Sequence, residues 1–238
     1  MASPAWLTAT DHAFASGPVF QRPSNWLDAI RKTRSLRGAR LLMAVWRQFE
    51  ANGRQGDPLY LSLNSRLVNR NAREAVSIGS GCALRAIIRL EPNGRLTIGN
   101  DVYMGDGCIV SVMDNVSIGD GTLFAHGVQL FDNDTHPTDA SDRVADFRKK
   151  LGHRLPRPIA IGHAPVTIGK RCWLGMNSIV MKGVSIGDDT IVASGSVVVK
   201  DLPAGVIAAG NPARPLRKIA SEFDLSKVLS ASSDMDPG

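Results

Sequence analysis

The sequence predicts a parallel β-helix, a chain wound as stacked triangular turns, and three observations predict it. An aliphatic residue recurs every six positions, at Ile168, Leu174, Val180, Ile186, Val192 and Val198. The same comb recurs upstream as Ile78, Leu84, Leu90; Ile98, Met104, Val110; and Ile118, Phe124, Leu130. This spacing matches neither the 3.6-residue period of an amphipathic helix nor the alternation of one long strand. Glycine follows the apolar residue at Gly169, Gly175 and Gly187, where a tight corner between short strands suits a residue without Cβ. Fixed-period self-similarity of this kind marks a solenoid.

Residues 1–57 read as an extension ahead of the repeats. Residues 1–17 lack the basic head and apolar stretch of a secretory leader, and none is expected. No hydrophobic run approaches the roughly 18 residues of a membrane-spanning helix. Residues 24–52 read as one helix. Ser24 can cap it, Leu42, Val45, Trp46 and Phe49 recur at i, i+3, i+4, i+7, and Asn52-Gly53 ends it. Arg31, Arg34, Arg37, Arg40 and Arg47 decorate its other face. The helix is expected to pack over the N-terminal end of the prism, whose strand edges would otherwise be unpaired. A basic helix lying on a membrane surface is the alternative.

Residues 58–219 read as the β-helix domain. Upstream triads start at 78, 98 and 118, and downstream triads at 168 and 186. Three hexads therefore make one turn, and the upstream turns carry two extra residues at their third corner. The next third corner opens into a loop of about thirty residues, 131–160. Structureless loops beyond roughly 12–15 residues are usually functional or disordered. After Arg217 the chain turns polar, and a short helix over 225–229 with a frayed tail is expected within 220–238.

Composition bounds the partners. Aromatic residues are few and 43% of the chain is hydrophobic, which suits a prism filled with small aliphatics. Each such residue, fully buried, contributes roughly 1.5–3 kcal/mol. Three cysteines (Cys82, Cys108, Cys172) imply reduced thiols and a cytoplasmic address. Cys82 and Cys108 fall among inward positions and read as core fillers. A net charge of +6 favours an anionic ligand. Nucleic acid is not expected, since there is no helix-turn-helix, zinc ligand set or aromatic–basic RNA strand.

The long loop opens with Asp132-Asn133-Asp134-Thr135-His136-Pro137-Thr138-Asp139. His136 lies among acceptors at the mouth of the largest insertion, which makes it a candidate general base. Asp134 and Asp139 are the candidates to orient it. His153 lies beside Arg154, His126 close to the inward Phe124, His163 where the repeats resume, and His12 in the extension. Trp173 precedes the inward Leu174 and so points outward, as aromatics at ligand or subunit contacts do. Lys200, Arg214, Arg217 and Lys218 could hold phosphates, or form a solvated basic exit.

Together these stretches resemble the hexapeptide-repeat acyltransferases, nearest the galactoside, maltose and nodulation-factor O-acetyltransferases and their polysaccharide-modifying relatives. The resemblance covers residues 76–219. It is carried by "VTIGKRCWLGMNSIVMKGVSIGDDTIVASGSVVVKDLPAGVIAAGNPARPLRKI" and by "THP". It implies a left-handed β-helix, an exception to the right-handed crossover rule. It also implies a homotrimer binding acetyl-CoA between two subunits, with no metal. The resemblance carries the catalytic base to His136. It carries CoA contacts to Trp173, Gly175, Met176, Ser194, Gly195, Lys200, Arg214 and Arg217, and an oxyanion-binding backbone N–H to Met176. The implied reaction is direct transfer of acetyl to a hydroxyl of a sugar or glycan precursor.

Galactoside and maltose members carry an Ala-Asn-Phe-Asn stretch where this chain has Met104-Gly105-Asp106-Gly107. A different acceptor is therefore expected, with Asp114 and Asp134 as candidate acceptor-lining residues. The alternatives on the same coil are N-acetylation of an amino sugar or antibiotic, and a zinc site on His126, His136 and His163 as in γ-type carbonic anhydrases. A non-catalytic trimeric scaffold is the third.

Overall fold

The computed structural model describes residues 18–154 and 157–219. The helix expected over 225–229 and His12 lie outside the described residues. Short strands stack into three sheets of nine, six and six strands, which form the sides of a prism. Successive coils visit the first face (Cys82–Leu84, Tyr103–Met104, Leu123–Phe124), then the second (Ile87–Leu90, Ile109–Val112, Gln129–Phe131), then the third (Arg95–Ile98, Asn115–Ile118). The coils pair in parallel, as the hexad spacing requires.

Register ties each inward residue to its counterpart one coil away. On the third face the column runs Ile78, Ile98, Ile118, Ile168, Ile186. The step from Ile118 to Ile168 bridges the whole insertion, so the coil resumes as if nothing intervened. All fifteen residues of the predicted comb are buried and share one core.

The corners dictate the glycines and acidic residues. At the corner from third to first face, a Cβ on Gly119 would lie 2.6 Å from the carbonyl carbon of Gly169 on the next coil. The adjacent positions cap one another upward. Asn100 Oδ1 accepts the Ser80 N–H at 2.9 Å, and Asp120 Oδ1 accepts the Asn100 N–H at 2.9 Å. Asp188 Oδ1 accepts the Lys170 N–H at 2.8 Å. Side-chain oxygens thus satisfy backbone donors that a turning strand leaves open.

The extension differs from its sequence reading in one respect. Two helices replace one: α1 (Trp26–Thr33) and α2 (Leu36–Asn52). Arg34 adopts the left-handed conformation, and the Ser35 hydroxyl accepts the Gly38 N–H at 2.9 Å, restarting the helix with a new N-cap. Asn25, not Ser24, caps α1, while Ser24 donates its N–H to the Asp28 carboxylate. The inner face of α2 places Leu42, Val45, Trp46 and Phe49 in the solenoid core. Its polar edge closes the first coil: Gln48 Oε1 accepts from Leu67 N–H, and Asn69 Nδ2 donates to the Asn52 carbonyl. The expected end cap is therefore built from both packing and backbone satisfaction.

At the other end, Ala213–Lys218 folds back antiparallel on Val206–Gly210 and extends the first face. All three cysteines are buried and free. Burial pushes the thiols of Cys82 and Cys108 up to about 11 and raises that of Cys172.

Val180 sits at the centre of this column packing, fully buried. Val180→Asp places an unpaired carboxylate there and is expected to cost more than about 3 kcal/mol. Chemical denaturation followed by circular dichroism reads the loss; an unchanged midpoint contradicts the assigned core.

Candidate functional site

The insertion leaves the corner between second and third faces through a short neck. Asp132 is fully buried, and its carboxylate accepts the N–H groups of Met113 (2.7 Å) and Asp114 (2.8 Å) on the coil beneath. Asn133 forms a bridge with His163 on the returning strand. Asp134 N–H donates to the Gly162 carbonyl at 2.8 Å, and Ala164 N–H to that of Asp132 at 2.9 Å. The loop base is thus a two-stranded clasp pinned to the prism by a buried carboxylate.

Beyond the clasp the chain turns sharply. Asn133 Oδ1 accepts the Thr135 N–H, Thr135 is left-handed, and His136 N–H donates to the Asp134 carbonyl. The remainder is not structureless, as the sequence reading had it: α3 spans Ala140–Lys150. Asp139 caps it, its Oδ1 accepting the Asp142 N–H at 2.9 Å. Arg143 reaches back to the Pro137 and Thr138 carbonyls, fixing the segment after His136.

This helix supplies the partner of His136. Nδ1 of His136 lies 3.0 Å from Asp146 Oδ2, and Lys150 Nζ lies 3.1 Å from the same oxygen. Burial pushes the Asp146 carboxyl up, but the Lys150 ammonium and the His136 ring together outweigh it. It is held below the usual carboxylate range. An ionised Asp146 accepts from Nδ1–H, which leaves the Nε2 lone pair of a half-exposed ring facing outward. The orienting carboxylate is therefore Asp146, not Asp134 or Asp139. Asp139 is spent as an N-cap, and Asp134 pairs with Lys182 at 2.5 Å. Asp114 faces His163, with Nδ1 and Oδ2 3.0 Å apart. This second His–Asp pair has no signal in the sequence, since its members are 49 residues apart and meet only through the clasp.

The remaining candidates lie elsewhere on the prism. Trp173 is half exposed on the first face. Its row runs directly through Ile191 and Ile207 to Arg217. Three strand spacings make that row roughly 14 Å long. Arg214 is opposite Ala209 on the same hairpin. Gly175 and Met176 turn the corner from first to second face, with Ser194 and Gly195 stacked one coil on; Gly195 N–H donates to the Met176 carbonyl at 2.8 Å. A Cβ on Gly175 would lie 2.5 Å from the Ser194 nitrogen. Among the described residues nothing accepts the Met176 N–H. One coil below, His126 Nδ1 accepts the Asp106 N–H at 3.1 Å. Lys200 sits with the insertion's corner rather than with Trp173.

The candidates thus form two groups. His136, Asp146, Asp134, Asp114 and Lys200 gather at one corner. Trp173, Gly175, Met176, Ser194, Gly195, Arg214 and Arg217 gather on the first face and its far corner. The second face separates them, and among the described residues no hydrogen bond or ion pair joins them.

Comparisons with known proteins follow the coil. Residues 165–200 match the family described as the hexapeptide repeat of succinyl-transferase. Nodulation protein L of Rhizobium meliloti is 36% identical over 137 residues, 58% of this chain and 67% of that protein. Galactoside O-acetyltransferase of Escherichia coli K12 is 31% identical over 136 residues, 55% of this chain and 60% of that protein. The match also spans 60% of a Schizosaccharomyces pombe relative. Among solved structures, AntD, an N-acyltransferase from Bacillus cereus in complex with dTDP and 3-hydroxybutyryl-CoA, aligns with a TM-score of 0.58 at 17% identity. The alignment covers 80% of this chain and 95% of that one, a likeness of fold.

The His136–Asp146 contact predicts a single ring tautomer, protonated at Nδ1. Nitrogen-15 spectra of neutral His136 should show that tautomer, and Asp146→Asn should mix the two. An equal mixture in the unmodified protein contradicts the contact.

Proposed function

This chain belongs to the hexapeptide-repeat acyltransferases, and from that premise we propose that it transfers an acetyl group from acetyl-CoA to a hydroxyl of a sugar or glycan precursor. The observation that carries the reading is the His136–Asp146 pair at the mouth of the insertion. Asp146 holds the ring by accepting from Nδ1–H, so Nε2 can take the proton of an acceptor hydroxyl. The hydroxyl oxygen then attacks the thioester carbonyl. The Met176 N–H donates to the resulting oxyanion. The C–S bond breaks, and His136 returns the proton to the leaving thiolate. A hydroxyl needs this base more than an amine does, which favours O-acetylation over the N-acyl alternative. No cysteine competes as nucleophile, since all three thiols are buried and their thiolates disfavoured.

The row from Trp173 to Arg217 suits the acyl donor. It offers an aromatic at one end and cations at the other, over a length that fits an extended pantetheine and its phosphates. Arg214 adds a second cation there, and Lys200 of a neighbouring copy a third. Asp114 and Asp134 flank the base and face the acceptor.

The division of the candidates supports assembly. Met176 and Lys182 mark the two corners of the second face, about 20 Å apart at full extension. His136 of one copy therefore works with Met176 of the next. The outer rows agree. The first face presents Tyr103, Leu123, Trp173 and Ile191, and the second, apart from Gln129, presents Ile87, Ile109, Ile179 and Val197. The third presents Ser77, Thr97, Ser117, Thr167 and Ser185. Two apolar sides and one hydroxyl-lined side suit a closed homotrimer with its third faces in water. Three reduced thiols suit a cytoplasmic address.

His136→Ala is expected to lower kcat by roughly 10²–10⁴ with acetyl-CoA binding nearly intact, whereas His153→Ala leaves both unchanged. Arg217→Ala is expected to raise KM for acetyl-CoA more than it lowers kcat. Steady-state kinetics against a panel of sugars, amino sugars and nucleotide-sugars checks both. Full activity in His136→Ala contradicts the assigned base.

A further inference from the structure

Residues 22–50, at one end of the prism, carry as much net positive charge as residues 51–219 together, +5 against +5. The formal net charge is +6 over 238 residues, and residues 22–50 hold seven cations and two acids. Both acids are already engaged: Asp28 by Arg31 and Lys32, Glu50 by Arg22. Arg34, Arg37, Arg40 and Arg47 are exposed and have no ion-pair partner among the described residues.

The same surface is also apolar. Trp26, Leu27, Leu36 and Leu41 are exposed, Leu27 at 75% and Leu36 at 62%. The inner face of α2 is fully occupied by the coil, so packing among the described residues does not explain them. A merely solvated outer face would mix acids with its cations; the one acid of α2 is the partly buried Glu50 in its last turn, already paired with Arg22.

We propose that α1 and α2 form a membrane-docking surface for anionic lipid, with the arginines on lipid phosphates and Trp26, Leu27, Leu36 and Leu41 among the acyl chains. Arginines alone would fit any polyanion. The interleaved large apolar side chains fit a headgroup–acyl boundary and have no counterpart on a polyanion in water. No described helix is long and apolar enough to cross a membrane, so the contact is peripheral. In a cyclic trimer the three copies of this end point the same way along the axis, and their contacts act together.

Flotation of the full chain with vesicles tests this. The protein should rise with vesicles containing about 30% phosphatidylglycerol at ~0.1 M salt, remain behind with pure phosphatidylcholine, and be released as salt rises. Arg37→Glu with Arg40→Glu should abolish flotation while acetyl transfer to a soluble acceptor stays at the unmodified level. Leu36→Ser with Leu41→Ser should weaken vesicle binding at least tenfold and leave retention on heparin unchanged. Three results overturn the proposal. The unmodified protein fails to float. The leucine variant floats as well as the unmodified protein, which makes the surface a site for a soluble polyanion. Or the leucine variant changes the sedimentation coefficient but not flotation, which makes it a contact between copies.

Discussion

Everything in this fold depends on one constraint: each side of a coil can send only about two side chains inward, as Val166 and Ile168 or Thr190 and Val192 do. The prism is too narrow for more, so the chain turns after every short strand, and each corner must stack on the corner below. Gly119, whose missing Cβ makes room for the next coil's backbone, and Asp120, whose carboxylate caps Asn100, are direct consequences. A coil so tightly indexed admits extra residues only at a corner. The insertion obeys this, since Ile118 and Ile168 pair in register across it.

The insertion is built to be rigid at its root. Buried Asp132 binds two backbone N–H groups of the preceding coil, and the clasp between Asn133 and His163 closes the neck. Those contacts fix the direction in which His136 leaves the prism. The single acidic residue that then meets its ring, Asp146, comes from a helix whose cap, Asp139, sits in the same short sequence as the histidine. Rigid support for a reacting group from a scaffold, rather than from a free loop, is what precise positioning requires.

Legibility in the sequence followed the range of the interaction. The inward comb was legible because a fixed period repeats a local rule many times, and every one of its residues is buried. Trp173 was legible as outward-facing by its neighbour, and its exposure agrees. The break between α1 and α2 was hidden because apolar spacing continues through Ser35, which looks like a helix residue until its hydroxyl finds Gly38. Sequence proximity points to Asp134 and Asp139, whereas a helical turn of α3 brings the more distant Asp146 carboxylate to the ring. The His163–Asp114 pair depends on a register across 49 residues, which no local pattern encodes.

The same geometry sets the central claim, that a catalytic site is shared by two copies of the chain. The proposed base and the proposed donor-binding row lie on opposite sides of the second face, so under the proposed mechanism the two halves meet only across an interface. Subunit mixing tests this most directly. A His136→Ala chain and a Trp173→Ala, Arg217→Glu chain, each inactive alone, are co-assembled at equal ratio. A shared site in a closed trimer leaves one intact site in every mixed assembly, so activity should return to about one quarter of the unmodified level. No recovery, with mixed assemblies verified by mass spectrometry, would mean that both halves act within a single chain.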